Sequence, residues 1–302
     1  MNIKNIRQIL VASDLSDRAL YAVRRGALLA AQHKAQLSLL HVLDTKIPHQ
    51  YLPELNQKGN KSVVDTLSKE AEKTLREQAT TLSAKHHFNY NIHVEQGTEL
   101  VKIIKQASKD KSDLLVLGAH GKHFFRDVFL GTTAEKVVHE SDRPVLVVRN
   151  PPEGTYKRVL IPIDFSEMSR HTLALALSLT PNAEFIVLHA YHYPTEETEN
   201  EAAISVSMED NMAHLAQQAK IDLDQFLAEC DLDTQHIEHI VKFGGYPPAV
   251  IRMIATQCQP DLVLVGAHSH RDLRDLLLGS TAMHALRELS CDVLVVRPPP
   301  LL

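Results

Sequence analysis

The apolar positions change period along the chain, and the changes mark elements. Gln8 to Asp14 is a short run dominated by Ile, Leu and Val, with the length and composition of a buried strand. From Ser16 to about Gln32 the apolar positions recur at helical spacing, and Ser16 is placed to cap that helix. A second apolar run, Gln36 to Leu43, predicts a strand. Lys61 to His87 carries Val64, Leu67, Ala71, Leu75, Ala79 and Leu82 as one helical stripe. Tyr90 to Glu95 predicts a short strand closed by Gly97. Thr98 is placed to cap a helix through Lys109. Strands follow at Asp113 to Leu117 and Val145 to Arg149, with a helical pattern from Ala134 to Glu140 between them. Strands alternating with helices imply parallel pairing through right-handed crossovers, and near-continuous apolar strands imply cover on both faces.

The pattern then repeats. Ile9 to Ser16 (ILVASDLS) returns as Leu160 to Ser166 (LIPIDFS). Leu39-Leu40-His41-Val42 returns as Val187-Leu188-His189-Ala190, Leu130 to Ala134 as Leu278 to Ala282, and Val145 to Arg149 as Val293 to Arg297. From His41 onward the landmarks are offset by 148 residues, and by 150 at Asp14, so whole-domain duplication is predicted. Asn150-Pro151-Pro152-Glu153-Gly154-Thr155 is the linker, which sets domains at 1–150 and 156–302. In the second copy Pro247 and Pro248 open the third helix, where proline is tolerated. The predicted fold is α/β: two tandem, doubly wound, parallel five-stranded sheets. Two segments exceed ordinary connections, Asp44 to Asn60 and Tyr191 to Ser207, and are read as lids or unstructured loops. The second holds Glu196, Glu197, Glu199 and Glu201, read as a solvated face.

Composition narrows the partners. A net charge of −5 over 302 residues, with Lys and Arg scattered, argues against a phosphate-backbone footprint, so no nucleic-acid partner is expected. Trp is absent and aromatics are 5%, which leaves no stacking surface for single strands. The three cysteines, Cys230, Cys258 and Cys291, form no CxxC pair, as in a reducing cytosol. No apolar run is long enough to span a bilayer and no signal peptide is read at the N-terminus, so a cytoplasmic protein without membrane contact is expected.

The candidate chemistry lies in two glycine-punctuated loops, Gly118 to Thr133 (GAHGKHFFRDVFLGTT) and Gly266 to Thr281 (GAHSHRDLRDLLLGST). Each leaves the carboxyl end of a predicted strand and enters a helix, the place where open α/β sheets bind ligands. Backbone N–H groups and hydroxyls at such a helix N-terminus suit phosphate oxygens. No Walker A motif, no GxGxxG fingerprint and no GxSxG elbow is present. His120 with His123, and His268 with His270, are close enough to consider as metal ligands, but no third ligand is evident and no metal site is expected. His41 and His189 end strands and are read as partly buried structural residues.

Gly118-x-x-Gly121-(nine residues)-Gly131-Thr132-Thr133, together with the Asp-x-Ser after the first strand, the Leu-His-Val ending the second and the closing Pro-Val-Leu-Val-Val strand, resembles the universal stress protein family. Both halves carry the resemblance, so the chain looks like a tandem member. The resemblance implies a strand order of 3-2-1-4-5 and pairing of fifth strands about a pseudo-twofold, here Val145 to Val148 with Val293 to Val296. It also implies an adenine nucleotide, ATP with Mg²⁺ possible. Ala12, Ser13, Asp14 and Val42 would face the adenine. Leu117, Gly118, His120 and Gly121 would line the ribose and phosphates, and Gly131, Thr132 and Thr133 would hold phosphate. The second copy offers Pro162, Ile163, Asp164, Ala190, Val265, Gly266, His268, Ser269, Gly279, Ser280 and Thr281. Ser269 replaces the second glycine of the pattern, and its Cβ weakens close backbone approach. Three readings follow: a nucleotide-binding stress-response protein whose occupancy alters partner contacts, a scaffold or chaperone-like member without nucleotide, and a slow ATPase. No catalytic residue is identified, which ranks the enzyme last. A homodimer is compatible with any of the three.

Overall fold

The computed structural model describes residues 5–44, 60–119, 130–191, 204–230, 237–267 and 278–298, with side chains for all of these except 60–63 and 204–211. The chain divides into two compact units, Asn5–Thr155 and Tyr156–Pro298 in their main extents.

In the first unit β1 (Gln8–Ala12) lies between β2 (Gln36–Leu43) and β4 (Leu114–Gly118). Strand β2 also pairs with β3 (Tyr90–Gln96), and β4 with β5 (Val145–Val148). All pairings are parallel, as the alternating pattern predicts, and the order is the β3-β2-β1-β4-β5 that the resemblance implies. Helices α1 (Ala19–His33) and α2 (Asn60–His86) pack together, as do α3 (Glu99–Lys109) and α4 (Thr132–Glu140). Ile9, Leu10, Val11, Leu37, Leu39, Leu40 and Leu114 to Val116 are essentially inaccessible to water. Each such burial stabilises by roughly 1.5–3 kcal/mol.

Gly26 shows how tightly α1 is seated. A Cβ added there would lie 2.4 Å from Val11 Cγ2, so the helix lies on β1 at a distance only glycine permits. The amphipathic stripe of α3 buries Ile103, Gln106 and Ala107.

The second unit repeats the plan. Strand β6 (Arg158–Ile163) lies between β7 (Glu184–Tyr191) and β9 (Leu262–Gly266). Strand β7 pairs with β8 (Ile237–Phe243), and β9 with β10 (Asp292–Val296). The helices are α5 (Glu167–Leu179), α6 (Ile204–Glu229), α7 (Pro247–Cys258) and α8 (Ser280–Glu288). The prolines occupy the first turn of α7, as expected.

Boundaries differ in instructive places. Helix α1 is assigned from Ala19, with Arg18 at the cap position and no side-chain cap there. Ser16 acts one turn earlier: its Oγ accepts the Ala19 N–H at 3.1 Å. The residue before it, Leu15, takes φ 65°. In the second copy Phe165 takes φ 61°, and Ser166 caps α5 directly by accepting the Ser169 N–H at 3.2 Å. Thr98 stands at the cap position of α3, but its side chain makes no capping bond. Of the two long connections, α2 begins at Asn60 and α6 at Ile204. Residues 45–59 and 192–203, with the glutamates from 196 to 201, lie outside the described residues. Among the described residues no helix is long and apolar enough to cross a membrane.

Candidate functional site

The order β3-β2-β1-β4-β5 reverses direction between β1 and β4, so the carboxyl ends of these strands open a crevice at a topological switch point. Register brings the expected residues there. Ala12 sits opposite Leu117 on one side and Leu40 on the other, with Gly118 at the end of β4. Val42 continues β2 past that level, opposite Glu95.

The turn after β1 is fixed by its own polar groups. The Ser13 N–H donates to the Leu40 carbonyl at 2.9 Å, and the buried His41 donates from Nδ1 to the Ser13 carbonyl at 2.8 Å. Ser13 Oγ accepts the Leu15 N–H at 3.1 Å, and the Asp14 carboxylate accepts the Ser16 N–H at 3.0 Å. These bonds hold Leu15 in the left-handed region, which costs a non-glycine residue on the order of 1 kcal/mol or more. His41 is thus a positioning group for the turn, as its strand-end position foretells. His189 does the same in the second unit, donating from Nδ1 to the Ile163 carbonyl at 3.1 Å.

The glycine loop is gathered at its base. The Ala119 N–H donates to the Val148 carbonyl at 2.8 Å, and the Gly131 N–H to the Ala119 carbonyl at 2.7 Å. This brings the start of α4 beside the end of β4. Gly131 is the cap residue of α4, at φ −63° and ψ 142°, and among the described residues no side chain caps the helix. That backbone conformation is open to any amino acid, so glycine is not needed for the turn. What glycine provides is the absence of a Cβ in front of the first-turn N–H groups. The second unit does the same: the Ala267 N–H donates to Val296 and the Gly279 N–H to Ala267, each at 2.8 Å, with Gly279 at φ −61° and ψ 152°.

The hydroxyl of Thr133 donates to the carboxylate of Glu99, at the first turn of α3. Sequence reasoning assigned that hydroxyl to phosphate and did not find Glu99, because an interhelical contact leaves no mark in local spacing. Ala119 and Ala267 were missed for the same reason, since they act through their backbones. His120, Gly121, His268 and Ser269 lie outside the described residues, as do His123 and His270. Among the described residues no cluster of His, Cys, Asp or Glu could hold a metal ion.

The second crevice is built differently. Ile163 lies opposite His189, and Ala190 opposite Lys242. Gly266 closes β9 after Val265, opposite Val296. The β6–β9 ladder holds two pairs and stops at Leu160, two residues before Pro162, whose nitrogen carries no proton to donate. The Asp164 carboxylate accepts from the Ser166 and Ser169 hydroxyls at 2.5 and 2.6 Å. Ser280 and Thr281 open α8. The Ser280 carbonyl accepts from His284 Nδ1 at 2.7 Å, so in the neutral ring Nε2 accepts from the Tyr246 hydroxyl at 2.8 Å. Behind this crevice Phe165 stacks on His189 with centroids 4.1 Å apart. Arg170 lies over Phe226 and pairs with Glu229 at 2.6 Å. Burial pushes the adjacent Cys230 thiol up from its ordinary value, against the pull of Arg170.

Comparison with known proteins agrees with this architecture. The profile of the universal stress protein family matches twice, over residues 5–149 and 155–297. A universal stress protein of Methanocaldococcus jannaschii is 29% identical over 147 residues, spanning 48% of this chain and 83% of that protein. Universal stress protein A homolog 1 of Coxiella burnetii is 32% identical over 142 residues, spanning 47% of this chain and 95% of its own length. The crystal structure of a universal stress protein from Archaeoglobus fulgidus covers 97% of this chain and 97% of its own, with a TM-score of 0.66 at 19% identity, a likeness of fold. The chain belongs to the universal stress protein family and carries two of its domains in tandem.

Proposed function

We propose that the first unit binds an adenine nucleotide, ATP with Mg²⁺ among the candidates, and that occupancy alters contacts with a protein partner in a stress response. The observation that carries this reading is the uncapped N-terminus of α4, fronted by a glycine whose conformation any residue could adopt. Phosphate oxygens are the natural complement of such N–H groups and of the positive end of the helix dipole, worth about 0.3–1 kcal/mol at an exposed site and more when partly buried. Thr132 adds a hydroxyl beside them. In this reading Ala12, Ser13, Asp14 and Val42 face the base, and Leu117 and Gly118 line the ribose and phosphates; the pairing of Ala12 with Leu117 across β1 and β4 supports it. His120 and Gly121 complete the set by their place in the motif.

The second unit takes the weaker role, on the strength of Ser269 and the shortened ladder before Pro162. The same reading places the protein in the cytoplasm. No side chain is assigned as a catalytic base, so the reading is of a binding protein.

A ligand that binds only the folded state stabilises it by about 2.7 kcal/mol at a hundredfold excess over Kd. The expected outcome is an upward shift in melting temperature on the order of 5 °C with saturating ATP–Mg²⁺. An unchanged melting temperature at millimolar nucleotide, with full folding confirmed by circular dichroism, overturns the reading in favour of a scaffold without nucleotide.

A further inference from the structure

The first cradle has a carboxylate built into it. Glu99, in the first turn of α3, accepts the hydroxyl of Thr133, in the first turn of α4. A phosphate held by the N–H of Thr133 would lie within roughly 6–8 Å of that carboxylate, because both would be bonded to one residue. The repeat supplies an internal comparison. Gly97 donates its N–H to Leu43 as Gly244 does to Tyr191, and Thr98 and Tyr246 occupy the same cap position. The counterpart of Glu99 is therefore Pro247, which carries no charge. At that corner of the second unit the ring of His284 bridges the Tyr246 hydroxyl and the Ser280 carbonyl. Among the described residues this corner of the second unit holds no carboxylate, and Glu99 sets the first cradle apart from it.

We infer that Glu99 is a specificity-determining residue that sets the net charge of the ligand accepted by the first unit. This rests on the nucleotide reading above. An ionised carboxylate beside the phosphates repels a free polyanion and is tolerated when a divalent cation has neutralised part of its charge. The ligand class is a metal-complexed nucleoside polyphosphate, selected over the metal-free anion. Glu99 also ties α3 to α4, and substitutions separate the two roles. Glu99→Gln keeps an acceptor for Thr133 and removes the charge. Thr133→Val removes the bond and keeps the charge.

The test is calorimetric titration of the full chain with ATP, with Mg²⁺ and with EDTA. Gly279→Val is present in every protein so that the first cradle is read, and each variant is checked for folding by thermal denaturation. The expected result is that the parent binds ATP–Mg²⁺ on the order of tenfold more tightly than free ATP. Glu99→Gln should tighten free ATP and narrow that ratio to about twofold or less, whereas Thr133→Val should leave the ratio in place. If Glu99→Gln binds both forms as the parent does, or weakens both as Thr133→Val does, Glu99 is only a tether and the inference is overturned while nucleotide binding stands. If the parent binds neither form, the nucleotide reading itself has failed.

Discussion

Gly131 occupies a cap position where Ser, Asp or Asn would stabilise the helix over glycine by roughly a few tenths of a kcal/mol. Its backbone angles do not require glycine, so the missing side chain is the feature to explain. The motif spacing gave the position; only the angles separate an open front from a tight turn. Other residues show where sequence is silent. Tyr156 and Asp292 are 136 positions apart, yet the tyrosine hydroxyl donates to the buried carboxylate at 2.6 Å. Tyr156→Phe should lower stability by about 1–3 kcal/mol, measured by denaturant unfolding, because a buried carboxylate loses a donor. An unchanged midpoint would show that Asp292 is satisfied by its other contacts.

Charge pairs at the same scale give a pH dependence. The Lys102 ammonium, hydrogen-bonded to Glu95 at 2.9 Å, holds that carboxyl below its ordinary value of 4.5. The Arg170 guanidinium does the same for Glu229. A carboxyl lowered in the folded state contributes stability that is present above its unfolded value and disappears as pH falls through the folded one. Stability from these pairs should therefore be constant from neutrality to about pH 5 and decline below pH 4.5. Lys102→Met should flatten part of that decline; an acid limb identical to the parent's would remove Glu95 from the account. Both pairs are substantially exposed, so the effect is small and diminishes with salt.

Among the elements, type and order were readable because the apolar period switches cleanly between strand and helix. What local pattern could not supply was the geometry of the joins. Ser16 and Ser166 stand at matching places and look like the same cap, yet one acts on a preliminary turn and the other on the helix itself. Thr98 has the right identity and position but no bond, since no rule of composition orients its hydroxyl. Helix–sheet spacing was likewise hidden. Gly26 is an unremarkable helical residue in the sequence, and the structure presses it against Val11. Gly26→Val should destabilise by about 1–3 kcal/mol or more through overpacking, read as a lowered unfolding midpoint. A midpoint at or above the parent's would mean that α1 has room to move outward.

For the whole molecule, duplication does more than double the count of sites. Each unit is a control for the other. Shared features, such as the left-handed residue after Asp14 and Asp164, the His41 and His189 anchors and the uncapped starts of α4 and α8, mark what the domain design retains. Unshared features, such as Glu99 against Pro247 and the full ladder against the one that stops before Pro162, mark where the two crevices have parted. The inequality was visible in the sequence at Ser269, but its backbone counterpart at β6 needed the observed register.

The central claim is that the first cradle holds the nucleotide through the open N-terminus of α4. Equilibrium binding of ATP–Mg²⁺ to the full chain, compared between the parent, Gly131→Val and Gly279→Val, tests it most directly. The account predicts that Gly131→Val weakens the tighter class of site by at least tenfold, while Gly279→Val leaves that class intact. Equal affinity in the parent and Gly131→Val, with both proteins folded, would contradict it.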